Sequence, residues 1–218
     1  MDAGLATAAD QSQLDRRLSR AGFDLDDLSR ARLAEFVVLL EKWNRVYNLI
    51  GACDRATLLD RHIVESLALG PLLHGSAVAD VGSGAGLPGL PLAIAHRERH
   101  FTLIESRRKR VNFMRHVIVS LGLENVIVAH GRAEALSSPE PFATVLARAV
   151  AAPAELLKVV RPLTTAGSVL VLLTSAEISR EIVVLADDFV SVELPAGFGS
   201  ELKSSVVVLE RTGDRTTR

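Results

Sequence analysis

Residues 78–89 decide the fold, and their sequence is VADVGSGAGLPG. The apolar run from Ala77 to Val81 predicts a strand. It leads into three alternating glycines and then to Pro88, a residue that favours the first position of a helix. A strand, a glycine turn and a helix start together place backbone N–H groups against a nucleotide-like ligand. Glycine suits such a turn because a side chain would block the ligand and because the backbone often needs a positive φ. The three glycines are Gly82, Gly84 and Gly86.

Two classes of ligand fit this loop. Gly84 to Gly89 match the G-x-G-x-x-G pattern of dinucleotide sites, which favours a nicotinamide or flavin cofactor. Asp80 favours a different ligand, because a carboxylate at the end of the strand repels a pyrophosphate. S-adenosylmethionine (SAM) has an ammonium group and no phosphate, and Asp80 would attract that ammonium directly or through water. Asp80 therefore favours SAM, while the glycines alone leave both classes open.

The composition indicates a globular protein with one domain and an extension. The chain has 218 residues, 48% of them hydrophobic, and a net charge of −1. Any contact with nucleic acid must therefore come from a local basic patch. The single cysteine, Cys53, excludes an intrachain disulfide, and the six histidines lack metal-ligand spacing, so we expect no metal. Without a membrane-length apolar run or a signal-sequence pattern, we expect a cytoplasmic protein.

The first third of the chain has helical periodicity, after a leader over residues 1–10 that we expect to be loose. Over residues 11–73, apolar side chains recur at three- and four-residue steps. Gly70-Pro71 and His74-Gly75 mark a boundary. We therefore predict a helical extension over 1–75, a SAM-binding domain over 76–211 and a flexible tail over 212–218. One helical face contains Leu33, Phe36, Val37, Leu40, Trp43 and Tyr47, and a second contains Leu58, Leu59, Ile63 and Leu67.

From residue 76 onward, strands and helices alternate, which predicts a mostly parallel seven-stranded sheet with helices on both faces. Little helical pattern separates the last two strands, so we expect a C-terminal antiparallel hairpin. This α/β, Rossmann-like arrangement is that of class I SAM-dependent methyltransferases, whereas a nicotinamide-binding fold would continue with another crossover helix. The predicted strands are Ala77–Val81, His100–Glu105, Asn125–Ala129, Thr144–Ala147, Gly167–Leu173, Val190–Leu194 and Ser205–Glu210. The predicted helices are Pro88–Arg97, Arg107–Leu121, a short one near Arg132–Leu136, Pro153–Arg161 and Ala176–Leu185.

Three strand ends supply further candidate ligand-binding residues. Glu105 ends the second strand at the spacing of an acid that binds ribose hydroxyls, although it could instead cap the helix after it. Ala133 and Glu134 follow the third strand, where a backbone N–H and a carboxylate suit an adenine edge as well as they suit an ordinary helix start. Arg148 ends the fourth strand and should face the cleft to pair with a carboxylate or phosphate, the alternative being a salt bridge at the sheet edge.

Basic residues near the predicted cleft are candidates for RNA binding. The densest cluster starts the helix after Glu105, where phosphate contacts compete with the simpler interpretation of a solvated helix face. Arg61 and His62 lie in the helical extension and could reach over the cleft, although a lone histidine is more often structural. The cluster consists of Arg107, Arg108, Lys109 and Arg110.

Taken together, these motifs resemble the RsmG (GidB) family, the bacterial 16S rRNA guanine-N7 methyltransferases. The Gly-Leu-Pro-Gly end of the glycine loop is quite specific to this family, as are the Tyr-Asn-Leu stretch and the Arg-His pair. The matching segments run in order over residues 43–150. They are Trp43-Asn44 to Tyr47-Asn48-Leu49, Arg61-His62-Ile63 to Ser66, Asp80 to Gly89, Phe101 to Ser106, Lys109-Arg110 to Phe113-Met114-Arg115, Arg132-Ala133-Glu134 and Arg148-Ala149.

The resemblance implies SAM as methyl donor and a guanine in the 530 loop of 16S rRNA, in the small ribosomal subunit, as acceptor. The family's SAM contacts match Gly82, Leu87, Ala133, Glu134 and Arg148, with Glu105 near the ribose. The chain departs from the family where Leu173-Thr174-Ser175 replaces the usual Leu-Lys-Gly, and it lacks the usual basic finish near Lys203. Guanine N7 is already nucleophilic, so we expect positioning to dominate catalysis and no residue to act as a general base.

Three interpretations from other classes differ from this one. A nicotinamide oxidoreductase is disfavoured by Asp80 and the terminal hairpin. A non-catalytic RNA-binding or assembly factor is disfavoured by the intact glycine loop and Glu105. A small-molecule methyltransferase is disfavoured by the basic cluster at Arg107–Arg110. The modest apolar excess does not demand a dimer, so we expect a monomer.

Overall fold

The computed structural model describes residues 6–135, 140–148, 152–194, 198 and 202–213, and these form a three-layer α/β fold around one sheet. The seven strands lie in the order β3-β2-β1-β4-β5-β7-β6. The first five are parallel, and β7 is antiparallel to both β5 and β6, which confirms the predicted sheet and its hairpin. The strands are β1 Ala77–Val81, β2 His100–Glu105, β3 Val126–His130, β4 Thr144–Arg148, β5 Val169–Thr174, β6 Phe189–Ser191 and β7 Ser205–Arg211.

Eight α-helices and one π-helix accompany these strands in the described residues. Three of the helical segments are continuous, because α3, the π-helix and α4 follow one another without a break. The α-helices are α1 Ala8–Arg20, α2 Asp27–Tyr47, α3 Arg55–Thr57, α4 Glu65–Leu67, α5 Gly89–Ala95, α6 Arg108–Leu121, α7 Pro153–Val160 and α8 Ala176–Leu185, and the π-helix is Leu58–Val64. Short 3₁₀ turns cover Gly70–Leu72, Ala133–Ala135 and Arg161–Leu163.

Alternate side chains of the buried strands pack into two separate cores, as the period of two in a strand requires. Leu146 and Val171 face a core formed with α1, α2, α5 and α6. Val145 and Leu172 face the opposite core, formed with α7 and α8. The central strands are apolar on both sides because helices cover both faces of a parallel sheet. The helical extension shares the first core with the sheet, so it packs directly against the sheet-containing part of the molecule.

The N-terminal region is more ordered than the expected loose leader. Helix α1 begins at Ala8, because Thr7 and Asp10 form a capping box in which each side chain accepts a hydrogen bond from the other's backbone N–H. Residues 1–5 of the predicted leader lie outside the described residues. The helical pattern over 11–73 is also interrupted, at residues 21–26 and 48–54, where Asn48 ends α2 in a left-handed conformation.

Arg55 joins the first three helices. Its guanidinium contacts Asp10 Oδ1 at 2.5 Å, the Glu41 carboxylate, and Gln13 Oε1 at 3.0 Å. These partners come from α1 and α2, while Arg55 itself starts α3. Because the side chains of Arg55, Asp10 and Glu41 are about three-quarters shielded from solvent, the charge-assisted bonds act in a partly dry environment.

Several predicted boundaries were wrong by a few residues. Helix α5 begins at Gly89, and Pro88 caps it with φ near −89° instead of occupying the first helical position. β6 ends at Ser191, short of the predicted Leu194, although the Val192 N–H still donates to the Val208 carbonyl of β7 at 2.8 Å. The predicted tail begins at Thr212, whose N–H and hydroxyl both donate to the Asp188 carbonyl, so this first residue is held by the fold. Residues 214–218 of the tail lie outside the described residues.

Candidate functional site

The glycine loop joins β1 to α5 at the carboxyl end of the parallel sheet. Its turn is held by β2, because the N–H groups of Gly82 and Ser83 donate to the Ile104 carbonyl at 2.9 and 3.1 Å. All three alternating glycines have positive φ, between 59° and 77°. At Gly86 the space is also full, since a Cβ there would lie 2.2 Å from Leu90 Cδ1. At Gly82 no atom lies within 4 Å of the position that a Cβ would take, so the loop presents bare backbone to an open cleft.

Asp80 lies beneath this loop and not in the cleft. The residue is 1% exposed, and its Oδ2 accepts a hydrogen bond from the Gly89 N–H at 3.0 Å. Its Oδ1 is buried and has no hydrogen-bond partner among the described residues. Burial raises the pKa of Asp80 to about 7, although the hydrogen bond from the Gly89 N–H opposes the rise. Because the carboxylate is buried below the loop, its attraction of an ammonium group stays a prediction.

Glu105 fastens the glycine loop to the next strand–helix junction. Its Oε2 accepts from the Gly84 N–H at 3.0 Å and lies 3.5 Å from Arg110 Nη1, while its Oε1 accepts from the Arg107 N–H at 2.8 Å. The bond from the Arg107 N–H is a helix-capping contact, the alternative role that the sequence allows for Glu105. The carboxylate lies at the cleft edge, 5% exposed, with lone pairs left for hydroxyl donors. Its role as a ribose ligand stays a prediction.

Arg148 ends β4 next to β1 and turns toward the helical extension. Its Nη2 donates to the Arg61 carbonyl at 3.0 Å and approaches Glu65 Oε2 at 3.4 Å. Its Nη1 is buried without a hydrogen-bond partner in the described part of the chain. Burial lowers the pKa of the guanidinium, and the Glu65 charge partly offsets this. Arg148 therefore makes a salt bridge, the alternative interpretation, while its pairing with a carboxylate or phosphate of a ligand stays a prediction.

Glu65 is a functional candidate that the sequence analysis missed. It is 2% exposed and accepts from the Lys203 N–H at 2.9 Å and the Ser204 hydroxyl at 3.3 Å, in addition to its contact with Arg148. The carboxylate thus ties the end of β4 to the segment before β7. An acid among the apolar residues of the second helical face was the one available indication in the sequence.

A cavity of about 680 Å³ opens beside Arg148 at the carboxyl ends of β4 and β5. His62 lines it from the π-helix, and burial followed by the charges of Arg148 and Arg61 lowers the pKa of His62 to about 4. The imidazole is therefore neutral at pH 7. Thr174, at the position where the resembled family usually has lysine, lines the same cavity. The polar residues that line the cavity include Arg61, His62, Arg148, Thr174, Lys203 and Ser204.

The remaining predicted residues surround the glycine loop on the β2 and β3 side. Leu87 is buried, and its N–H donates to the Ser83 carbonyl at 3.0 Å. Ala133 is buried and Glu134 exposed in the 3₁₀ turn after β3. Arg107, Arg108 and Lys109 are exposed at the start of α6. Ala149, predicted as part of the Arg148 motif, lies outside the described residues.

These residues fit SAM better than a dinucleotide. The open backbone at Gly82 and the carboxylate of Glu105 suit a nucleoside, and the free Nη1 of Arg148 suits the carboxylate of an amino acid. The buried Asp80 disfavours a pyrophosphate in the same loop. No group of three or more His, Cys, Asp or Glu side chains within the described ranges could hold a metal ion, and no described helix is long and apolar enough to cross a membrane.

Two solved methyltransferases have the same fold. A SAM-dependent methyltransferase from Aquifex aeolicus superposes with a TM-score of 0.55 at 17% identity, covering 78% of this chain and 96% of that one. A methyltransferase from Geobacter sulfurreducens gives a TM-score of 0.58 at 17% identity, covering 93% and 96%. At this identity the likeness shows the fold alone. Strand order, terminal hairpin and glycine loop together define the class I SAM-dependent methyltransferase fold.

Within this class, the family model of rRNA small subunit methyltransferase G (GidB) matches residues 29–197. The Ribosomal RNA small subunit methyltransferase G of Yersinia pseudotuberculosis is 45% identical over 145 residues, covering 66% of this chain and 70% of that protein. The chain therefore belongs to the family of rRNA small subunit methyltransferases G, as the motifs in the sequence predicted. Its members are rRNA methyltransferases, and the chain is an enzyme of this kind.

Proposed function

We propose that this enzyme acts in the cytoplasm and transfers a methyl group from SAM to N7 of a guanine in the 530 loop of 16S rRNA, in the small ribosomal subunit. The observation that supports this most is the placement of the glycine loop directly beside the Arg148 cavity. β1, which leads into the loop, pairs with β4, which ends at Arg148. A donor lying on the loop and an acceptor base in the cavity would thus meet at the β1–β4 junction, where ligands bind in open α/β sheets.

The donor side of the site consists of the loop and the ends of β2 and β3. Glu105 would accept the ribose hydroxyls, and Ala133 with Glu134 would contact the adenine. Arg148 would pair its free Nη1 with the carboxylate of the methionine part, and Asp80 would act on the ammonium through a water below the loop. The middle of the SAM molecule would lie against the loop backbone at Gly82, Gly84, Gly86 and Leu87.

Bound SAM supplies a methyl group on a positively charged sulfur, which the lone pair of guanine N7 can attack as the carbon–sulfur bond breaks. Positive charge moves from sulfur to the purine and no proton is released, so the protein needs no general base. The chain's own contribution is to hold N7 in line with the methyl group at near-attack distance. A neutral His62 is consistent with this, because a pKa of about 4 leaves it unprotonated at pH 7. Arg61 and His62 would contact the RNA at the cavity mouth.

The target base must enter the cavity unpaired, since side chains cannot read the deep major groove of A-form RNA. The Arg107–Arg110 cluster, whose first three residues are exposed, lies beside the loop, with Lys109 Nζ 5.8 Å from the centre of the Tyr47 ring. This combination of basic groups and an aromatic ring suits a phosphate backbone with an adjacent unstacked base.

Transfer of labelled methyl from SAM tests the proposal. The acceptors are small subunits that lack native methylation, naked 16S rRNA and tRNA. The proposal predicts label in 16S rRNA and none in tRNA. Binding of SAM without label in any RNA would point to a small-molecule acceptor or to a role in assembly. Failure to bind SAM would contradict the assignment of the glycine loop.

A further inference from the structure

A second cavity, of about 420 Å³, lies outside the candidate site, between α1, the π-helix and the segment before β7. Its lining is strongly basic, with four cationic side chains and one carboxylate. We call it the α1 groove. Its charged residues are Arg16, Arg17, Arg20, Asp60 and Lys203.

The cations of the α1 groove are only partly neutralised by the rest of the described chain. Hydrogen bonds lower the pKa of the Asp54 carboxyl group most, and Asp54 is near enough to Arg17 and Lys203 for their charges to lower it further. Arg17 uses the one carboxylate, with Nε 2.9 Å from Asp60 Oδ1, and Arg16 reaches only the Ser12 hydroxyl. The guanidinium of Arg20 and the ammonium of Lys203 make no hydrogen bond or ion pair with any described residue. Both side chains are exposed. The groove thus keeps an excess of positive charge in a protein whose net charge is −1.

Helix electrostatics alone do not explain this arrangement. The end of α1 favours cations because of the helix dipole, which accounts for Arg17 and Arg20 in its last turn. Arg16 and Arg20, however, lie four residues apart on one face, where like charges repel. Lys203 comes from the far end of the chain and faces the same groove. Cations gathered from two distant segments, in excess of the carboxylates near them, are the pattern of a surface that binds an anion.

The α1 groove adjoins the cavity of the candidate site. Lys203 lines both cavities, and Asp60 of the groove precedes Arg61 of the site on the π-helix. The Lys203 N–H is fixed by Glu65, the carboxylate that also contacts Arg148. The groove therefore lies on the β4, β5 and β7 side of the molecule, whereas the Arg107–Arg110 cluster lies beside Glu105 on the β2 side.

We propose that the α1 groove binds the phosphate backbone of the RNA segment adjoining the target nucleotide. This inference rests on the proposed function and adds to it an RNA-binding surface formed by the first helix of the extension. An acceptor strand leaving the cavity at Lys203 would pass Arg20 and Arg16 in turn. Backbone contacts of this kind set affinity and position without reading sequence.

The test compares two double variants that each remove two positive charges. Arg16→Gln with Arg20→Gln alters the groove, and it spares both the Arg17–Asp60 pair and Lys203, which also lines the cavity of the candidate site. Lys158→Gln with Arg180→Gln, on α7 and α8 across the sheet, is the matched control. With undermethylated small subunits at about 0.1 M salt, we expect the groove variant to raise KM about tenfold, with kcat and SAM affinity unchanged. The slope of log affinity against log salt, measured by filter binding of naked 16S rRNA, should become shallower by about 1.4, or about 0.7 for each lost phosphate contact.

Three outcomes would overturn the proposal. The first is equal rRNA affinity in the groove and control variants. The second is weaker binding to whole subunits with unchanged binding to naked rRNA, which would assign the groove to an acidic ribosomal protein. The third is a loss of SAM affinity in the groove variant, which would make the groove part of the donor site. Direct rRNA binding tests the groove even if the wild-type enzyme transfers no methyl, so its failure is distinguishable from that of the proposed function.

Discussion

At the scale of single residues, the site depends on charged groups that are buried and only partly compensated. Asp80 has one carboxylate oxygen without a partner in the described residues, and Arg148 has one such guanidinium nitrogen. Groups of this kind cost stability, because a buried polar atom without a hydrogen bond loses its hydration. Enzymes often keep such costs at the positions where a ligand completes the hydrogen bonds. Asp80 and Arg148 are therefore the residues at which the account is easiest to test.

Asp80→Asn should change the pH dependence of stability. The folded-state pKa of about 7 is above the ordinary value of 3.8, so ionisation of Asp80 destabilises the fold as pH rises through that window. Between pH 5 and pH 8 the wild type should lose about 2 to 3 kcal/mol of unfolding free energy from this group. The asparagine variant should lose none of it. Urea unfolding at both pH values measures the difference, and equal pH slopes in the two proteins would refute the assignment.

Arg148→Ala should weaken SAM binding or slow methyl transfer. A charge-assisted hydrogen bond to a ligand carboxylate is worth about 1.5 to 3 kcal/mol, so we expect roughly a 10- to 100-fold rise in the Kd for SAM. Isothermal titration with SAM measures this directly. Because the substitution also leaves Glu65 without its ion-pair partner, Glu65→Gln is the control that disturbs the pair and keeps the arginine. Normal SAM affinity and normal kinetics in Arg148→Ala would remove it from the site.

At the scale of elements, the glycine loop and the helical extension do different work. The loop exposes backbone to the ligand and is held from below by Asp80 and Glu105. The extension supplies the π-helix, in which the Arg61 carbonyl accepts a hydrogen bond from Arg148 Nη2. π-Helical turns are rare and occur frequently at functional sites. The site therefore needs both elements, and a substitution in either should affect ligand binding by a different route.

Gly86→Ala should abolish SAM binding, whereas Gly22→Ala, outside the loop, should leave SAM binding intact. The residue has φ of +77°, and the new Cβ would lie 2.2 Å from Leu90 Cδ1. Strain and displacement of Leu90 together should cost about 2 kcal/mol of stability and shift the loop. Gly22, with φ of +75° and nothing within 4 Å, is the matched control. If Gly22→Ala and Gly86→Ala were equally stable and bound SAM equally well, the loop's fit would not depend on its glycines.

Arg55→Ala should loosen the extension. The substitution removes contacts to α1 and α2 at once and leaves Asp10 and Glu41 without their shared cation. We expect the free energy of unfolding to fall by about 2 kcal/mol. Amide hydrogens should also exchange faster in α1 than in the sheet. Arg45→Ala, at an exposed position near the end of α2, should change stability by less than about 0.5 kcal/mol. Equal stability of the two variants would show that the cluster contributes little.

The elements that the sequence predicted well are those whose cause is local. The strand before the glycines, the alternation of strands and helices, and the terminal hairpin follow from apolar runs and turn residues close together in the chain. Glu65 could not be predicted in this way, because its partners Arg148 and Lys203 are 83 and 138 residues away. The burial of Asp80 and the π-helical turn likewise depend on how the extension and loop pack, which periodicity does not encode.

At the scale of the whole molecule, the sheet separates two tasks. The ends of β2 and β3 lie on one side of the glycine loop, and the ends of β4 and β5 lie on the other. Glu105 and the Arg107–Arg110 cluster belong to the first side, while the Arg148 cavity and the α1 groove belong to the second. The nucleoside of the donor would thus lie on the first side and the acceptor base on the second, with basic surfaces for the RNA backbone on both sides. The low net charge of −1 fits a protein that meets RNA through such local surfaces.

The most direct test is to locate the transferred methyl group at nucleotide resolution. Small subunits without native methylation would be treated with the enzyme and SAM, and the rRNA would be cleaved selectively at 7-methylguanosine and mapped. The account predicts one cleavage site, at a guanine of the 530 loop, that forms more slowly with Arg148→Ala at a SAM concentration below saturation. A methyl group on another base, on another atom of guanine, or at many scattered guanines would contradict it.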